Sequence, residues 1–226
     1  MENTKYLAEP DFVTIWTDAS YPPPRRFNLL FLGNSITSHG KCGYWWGAWG
    51  MAASSEADDY VHLVVSQLEK YGAVSFDISG MFLWEALAHD RAQPLGMMES
   101  AFKGNLDAVI VQMGENVISC STMAGDLSEL LEHIKSKATK AKIMVLGNFW
   151  PNDALDEIKK AVCQKMGVAY ISLKDLQTPE YFAGLGATVY GDNGEAHTIE
   201  HAGVAQHPGN KAMIAIAERI VATLGM

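Results

Sequence analysis

The chain has 226 residues, 48% of them hydrophobic, which is enough to bury a substantial core within one domain of generous size. Its 17 basic and 26 acidic side chains give a formal charge of −9 with no Lys/Arg-rich block, so no nucleic-acid partner is expected. No apolar run approaches the roughly 20 residues of a membrane span, so no membrane partner is expected either.

Residues 1–26 read as an N-terminal arm, ending in Tyr21-Pro22-Pro23-Pro24-Arg25-Arg26, where three prolines forbid helix and favour extended backbone. Met1 through Asp11 holds no apolar stretch long enough for a signal peptide, and a cytoplasmic protein is the expectation. Residues 27–226 read as a single domain. Short apolar runs recur at Phe27–Leu32, Val74–Ile78, Leu106–Val111, Lys142–Leu146 and Val168–Leu173. Rich in β-branched and bulky residues, they suit strands buried on both faces of a parallel sheet. Between them Leu127, Leu130, Leu131 and Ile134 keep helical spacing, as do Met213, Ile216, Ala217, Ile220 and Leu224 near the end. Pro208 is expected in the first turn of that last helix, where its missing N–H costs nothing. Alternating strands and helices predict an α/β fold of three layers, α/β/α, around a five-stranded parallel sheet. Three cysteines without CxxC spacing, Cys42, Cys120 and Cys163, read as free thiols.

Ligands of open parallel sheets bind beyond the carboxyl ends of the strands, so the residues that follow each run carry the functional expectation. After the first run stands Gly33-Asn34-Ser35-Ile36-Thr37. A Ser in such a turn ahead of a helix can present its hydroxyl and an N–H, or can simply cap the helix. Gly80 follows the second run and Gly114-Glu115-Asn116 the third, where an Asn either donates to an oxyanion or makes an Asx turn. Near the end, His207-Pro208 precedes the closing helix, a placement suited to a general base.

Together these four sites resemble the motif blocks of the SGNH hydrolases, also called the GDSL esterase/lipase family, in the family's order and over nearly the whole chain from Phe31 onward. The resemblance implies a flavodoxin-like SGNH hydrolase architecture and acyl transfer without a cofactor or metal. Ser35 would be the nucleophile and His207 the base. The oxyanion would be held by backbone N–H groups of Ser35 and Gly80 and by the Asn116 side chain. A small-molecule or carbohydrate acyl ester is the implied substrate, with carbohydrate deacetylation the best match. One position departs from the pattern. The family places an Asp three residues before its His, and here that position is Val204. Either a carboxylate arrives from elsewhere, with Glu200 preferred over Asp192 and Glu195, or a backbone carbonyl holds the ring and the site works as a dyad.

Three further features bear on function. His197-Thr198-Ile199-Glu200-His201 spells H-x-x-E-H, which binds zinc only when a helix presents both histidines on one face, and the glycines around it argue for a loop. Tyr44-Trp45-Trp46-Gly47-Ala48-Trp49, read as a short helix, is either core or a stacking platform beside the site, with Trp84, Trp150 and His39 as lesser candidates. The competing functions are a non-catalytic glycan-binding module on the same fold, which Val204 favours, and a flavodoxin-like nucleotide binder, which lacks any GxxxxGK[ST] or GxGxxG loop.

Overall fold

The structure is a computed structural model that describes residues 25–87 and 91–226. The arm expected over 1–26 lies outside the described residues except for Arg25 and Arg26. These two open the first strand, β1 (Arg25–Gly33). In chain order there follow α1 (Tyr60–Glu69), β2 (Gly72–Gly80), the short helices α2 (Phe82–Ala86) and α3 (Ala92–Met97), and β3 (Ala108–Gln112). Next come α4 (Met123–Lys137), β4 (Lys142–Leu146), α5 (Asp153–Met166) and β5 (Ala169–Ile171). A two-stranded antiparallel hairpin, β6 (Thr188–Tyr190) and β7 (Ala196–Thr198), precedes α6 (Ala202–Ala205) and the closing helix α7 (Asn210–Leu224).

The five strands pair in the order β2-β1-β3-β4-β5, all parallel, and each expected apolar run falls on one of them. Alternate residues of a strand face opposite sides, so one sequence feeds two cores. Phe27, Leu29 and Phe31 of β1, with Ala108, Ile110, Met144 and Leu146, pack beneath α1 and α7. Leu30 and Leu32, with Val109, Val111, Ile143 and Val145, pack beneath α4 and α5. This is the three-layer α/β/α arrangement expected. Among the described residues no helix is long and apolar enough to cross a membrane.

Two local expectations are corrected. β2 is not buried on both faces: it is an edge strand, and each of its residues is half-buried or exposed. Pro208 stands outside α7, whose N-cap is Gly209, so the proline fixes the approach to the helix and not its first turn.

The chain runs from β1 to β2 on one side, then crosses back to β3 on the other. The sheet therefore changes direction at β1, which is where open α/β sheets form their ligand crevice. The register aligns Gly33, Gly80 and Gln112 at the carboxyl ends of three adjacent strands. The loops that leave this row converge on one place.

Candidate active site

Ser35 lies in a single turn beyond β1, not at the start of a helix as the sequence suggested. The Asn34 carbonyl accepts from Thr37 N at 2.9 Å and Ser38 N at 3.0 Å, and the turn then stops. Gly33 is required here, because a Cβ on it would overlap the Thr37 side chain. Thr37 Oγ1 is in turn engaged by Tyr60 Oη at 2.7 Å and Gln112 Oε1 at 3.2 Å. The Ser35 hydroxyl is half-buried and 2.8 Å from His207 Nε2.

The other ring nitrogen of His207 lies 2.8 Å from the Gly203 carbonyl. A carbonyl can only accept, so Nδ1 carries the hydrogen, and the neutral ring leaves Nε2 bare to accept the Ser35 hydroxyl proton. Burial is the main force that holds the ring neutral, lowering its pKa to about 4; His39 and His201 push the same way, and the Gly203 bond opposes them. Trp150 meets the ring edge-on at 4.9 Å between centroids and ties its indole N–H to the Gln206 carbonyl at 2.9 Å, so the imidazole is enclosed as well as bonded.

The expectation that Glu200 orients this histidine is corrected. Glu200 is exposed, and the position on Nδ1 belongs to the Gly203 carbonyl. Asp192 instead pairs with Lys41 at the surface, and Glu195 is an exposed turn residue. Val204 is buried in the core, which removes the usual position for an acid.

A cleft of about 350 Å³ opens in front of Ser35, lined by Gly33, Asn34, Ser38, His39, Gly80, Phe82 and Asn116, among others. It brings four of the five expected residues to one place, since His207 touches Ser35 from behind. Gly80 ends β2 and carries no side chain to obstruct the opening. The Ser35 N–H has no protein acceptor among the described residues. Asn116 donates one Nδ2 hydrogen to Glu85 Oε2 at 2.7 Å, and its second N–H remains for a ligand. These two donors beside a serine hydroxyl can receive a negative oxygen.

Beneath the cleft lies a polar network that the sequence did not announce. Glu85, on α2, is only 1% exposed and accepts from Asn34 Nδ2 at 3.1 Å, Asn116 Nδ2 and the Gly114 N–H. Glu115 accepts from Asn34 Nδ2 at 2.7 Å, Gln112 Nε2 at 2.9 Å and Phe149 N at 2.8 Å. The Asn34 amide therefore bridges two carboxylates, while its oxygen accepts from Ile36 N at 3.1 Å and holds the serine turn. Burial, then the neighbouring Glu115 charge, raise the pKa of Glu85. On the far side of Gly114, Lys159 of α5 is fully buried and donates to the Met113 and Leu146 carbonyls and to Asn148 Oδ1. Burial lowers its pKa, and Glu115, Asp156 and Glu85 act against that. Only glycine fits at 114, where φ is +130° and a Cβ would strike Asn148 and Lys159. A charged residue on a helix, such as Glu85 or Lys159, gives no sequence signal of such a role. Only the third-block glycine and asparagine hinted at the place.

The remaining candidates separate. Residues 41–50 form a loop with a single bridge between Cys42 and Trp45, not a helix. Trp45, Trp49 and Trp84 are core, and Arg91 covers the Trp84 ring at 4.6 Å. Exposed Tyr44 stacks on His201 at 4.3 Å, and half-buried Trp46 stacks on His197 at 4.3 Å. These two histidines, on α6's N-cap and on β7, share no helix face, so the H-x-x-E-H spelling lacks the geometry that would make it a zinc motif.

No family model matches the sequence, and no curated protein matches it. Solved structures do. A carbohydrate esterase family 2 enzyme with a carbohydrate-binding domain from Corynascus thermopiles (Myceliophthora fergusii) aligns with a TM-score of 0.57 at 11% identity, over 91% of this chain and 67% of that one. A two-domain esterase active on acetylated mannans, crystallised with mannopentaose, gives 0.56 at 18% identity, over 89% of this chain and 50% of that one. A protein described as GDSL-like lipase from Bacteroides ovatus gives 0.54 at 14% identity, over 89% of this chain and 99% of that one. The chain thus has the fold of carbohydrate esterases and GDSL-like lipases, and spans half to two thirds of the two carbohydrate esterases.

Two substitutions probe the network. Lys159→Met strands three buried oxygens and leaves Glu115 and Glu85 without their nearby cation. Its expected cost is about 3–5 kcal/mol, read from the shift in urea midpoint. Asn34→Asp sets a third carboxylate between two others and should cost about 3 kcal/mol. Adding Glu115→Gln, which relieves the repulsion, should recover more than half of that loss in a double-mutant cycle; no recovery would mean that the Asn34 amide is not the bridge.

Proposed function

We propose that the protein is a serine esterase that hydrolyses small acyl esters through an acyl-enzyme, with carbohydrate acetyl esters as its substrate class. The observation that carries this reading is the 2.8 Å contact between Ser35 Oγ and an unprotonated His207 Nε2. As Ser35 Oγ attacks the ester carbonyl, Nε2 takes its proton. The carbonyl oxygen becomes negative and is met by Ser35 N–H, Gly80 N–H and Asn116 Nδ2. His207 returns the proton to the departing alcohol. Water, deprotonated by the same nitrogen, then releases the acid from Ser35. The imidazolium formed in each half is steadied by the Gly203 carbonyl dipole in place of a carboxylate. The carbohydrate part of the reading is supported by the carbohydrate esterases of like fold and by Tyr44, an exposed ring stacked on a histidine near His207.

The direct experiment follows acetate release from acetylated mannan and hydrolysis of p-nitrophenyl acetate, with chelator present. Ser35→Ala and His207→Ala should each lose at least 10³ in kcat/KM, and Asn116→Ala about 10²–10³. If native protein and Ser35→Ala are equally inactive while acetylated mannan still binds, the glycan-binding reading replaces this one. Equal activity of the two would remove Ser35 as nucleophile.

The pH profile is a second test. His207 serves as base only when unprotonated, and its folded pKa is about 4. kcat/KM should therefore hold nearly level from pH 7 to 5.5 and fall only near pH 4, not near the ordinary histidine value of about 6.5. The same depression means that the unfolded chain binds this proton first. Between about pH 6.5 and 4 the ring's contribution to stability is lost as pH falls, and His207→Gln should flatten that part of the stability curve.

A further inference from the structure

The mechanism uses one histidine, yet a second stands in the cleft. His39 is the only imidazole among the described residues that line it, and it is half-buried. Its surroundings fix it closely. The His39 backbone N–H donates to the Trp49 carbonyl at 3.0 Å, and two residues further on the Met51 N–H donates to the Ser35 carbonyl at 2.8 Å. Between them the Gly50 N–H is held by the buried Asp59 carboxylate at 2.9 Å. Trp49 itself is buried and meets buried Trp45 edge-on at 5.8 Å between centroids. One anchored segment thus supports both Ser35 and His39, so the ring is kept in register with the nucleophile.

The ring's hydrogen-bonding state follows from its neighbours. His39 Nδ1 lies 2.6 Å from the Gly40 carbonyl, which can only accept, so Nδ1 carries the hydrogen. In the neutral ring Nε2 is then a bare acceptor, and it has no protein partner among the described residues. Ser38, next in the lining, donates its hydroxyl to the Ala48 carbonyl at 3.1 Å, and both Nδ2 hydrogens of Asn34 are taken by carboxylates. Neither supplies the donor that His39 Nε2 lacks.

The direction of the reaction says which part of a substrate meets this ring. His207 returns its proton to the departing alcohol, so the alcohol lies on the His207 side of the reacting carbon. His39 is on that side too, near enough for its charge to act on the His207 ring. We infer that His39 is a specificity-determining residue, whose Nε2 accepts a hydrogen bond from a hydroxyl on the substrate's alcohol close to the ester oxygen. The preferred substrates are then monoesters of polyols, in which such a free hydroxyl remains. This inference rests on the Ser35–His207 reading and deepens it. His39 makes and breaks no covalent bond; the ester is hydrolysed as already described.

The test measures acetate release from 2-hydroxyethyl, 2-methoxyethyl and propyl acetates by native protein, His39→Ala and His39→Gln. Ratios of kcat/KM are taken within one preparation, so any loss of folded enzyme cancels. Native protein should prefer the hydroxyethyl ester to each of the others by about tenfold, the value of one hydrogen bond otherwise left unmade. His39→Ala should bring both ratios to within about twofold of unity. His39→Gln, whose amide oxygen can accept in place of Nε2, should keep about threefold. Equal rates on all three esters in native protein would overturn the inference, as would a preference that both variants leave intact. Cleavage of the methoxyethyl ester as fast as the hydroxyethyl ester would overturn it too, because the site would then be donating to an ether oxygen. Failure of the esterase reading itself looks different: native protein would cleave none of these esters, nor p-nitrophenyl acetate.

Discussion

The site depends on one amide. Asn34 has two N–H groups and one carbonyl, and each is committed: the donors to Glu85 and Glu115, the acceptor to Ile36 N. With carboxylates on both donors, the side chain has a single permitted orientation. The turn that carries Ser35 is thereby fixed to the loop after β3, through Glu115, and to α2, through Glu85. Glu85 in turn holds Asn116 and the Gly114 N–H. The Ser35 turn and the Asn116 amide are thus both located through Glu85, and an error in one would move the other. Two acids so close, Glu85 buried and Glu115 half-buried, would repel, and the nearby Lys159, itself saturated by three oxygens, offsets them. Buried polar groups of this kind rigidify only when all are satisfied.

His207 is handled by a different means. A carboxylate on Nδ1 would orient the ring and favour its protonated form. The Gly203 carbonyl orients it equally well, since it fixes the same tautomer, but offers only a dipole to the positive ring. Burial then dominates and holds the ring neutral. The ring is therefore less basic than an acid-backed histidine and stays neutral over a wider acidic range. What is given up is driving force for proton transfer; what is kept is a bare Nε2 aimed at Ser35.

Much of this was legible in the sequence, for physical reasons that differ by residue. The strands were visible because a parallel sheet covered on both faces demands continuous apolar runs, and Lys142–Leu146 falls where the run lies. β2 was misread as fully buried, because Val74, Phe76 and Ile78 satisfy one face and an edge position is a property of topology, not of composition. Ser35, Gly80, Asn116 and His207 stand out because each follows a strand or precedes a helix at a fixed place. Glu200 was misassigned for a related reason: a search for a carboxylate finds carboxylates, and a backbone carbonyl has no letter. Glu85 and Lys159 were missed because charged residues on helices read as solvated, and only packing shows that these two are not.

The edge position of β2 has its own consequence. A further strand beyond it would cover the end of the sheet and close off Gly80 from that side. Left as the edge, β2 exposes main-chain groups that could pair with another chain. The strand limits that hazard along its length: Ser75 is exposed, Asp77 pairs with Lys103 at 3.4 Å, and the segment Glu99–Ala101 packs alongside. Its carboxyl end is different. There the charges give way to Phe82, Leu83 and Met97, all exposed around the opening beside Gly80. A surface selected only against association would not put its bare apolar side chains at the end of its open edge.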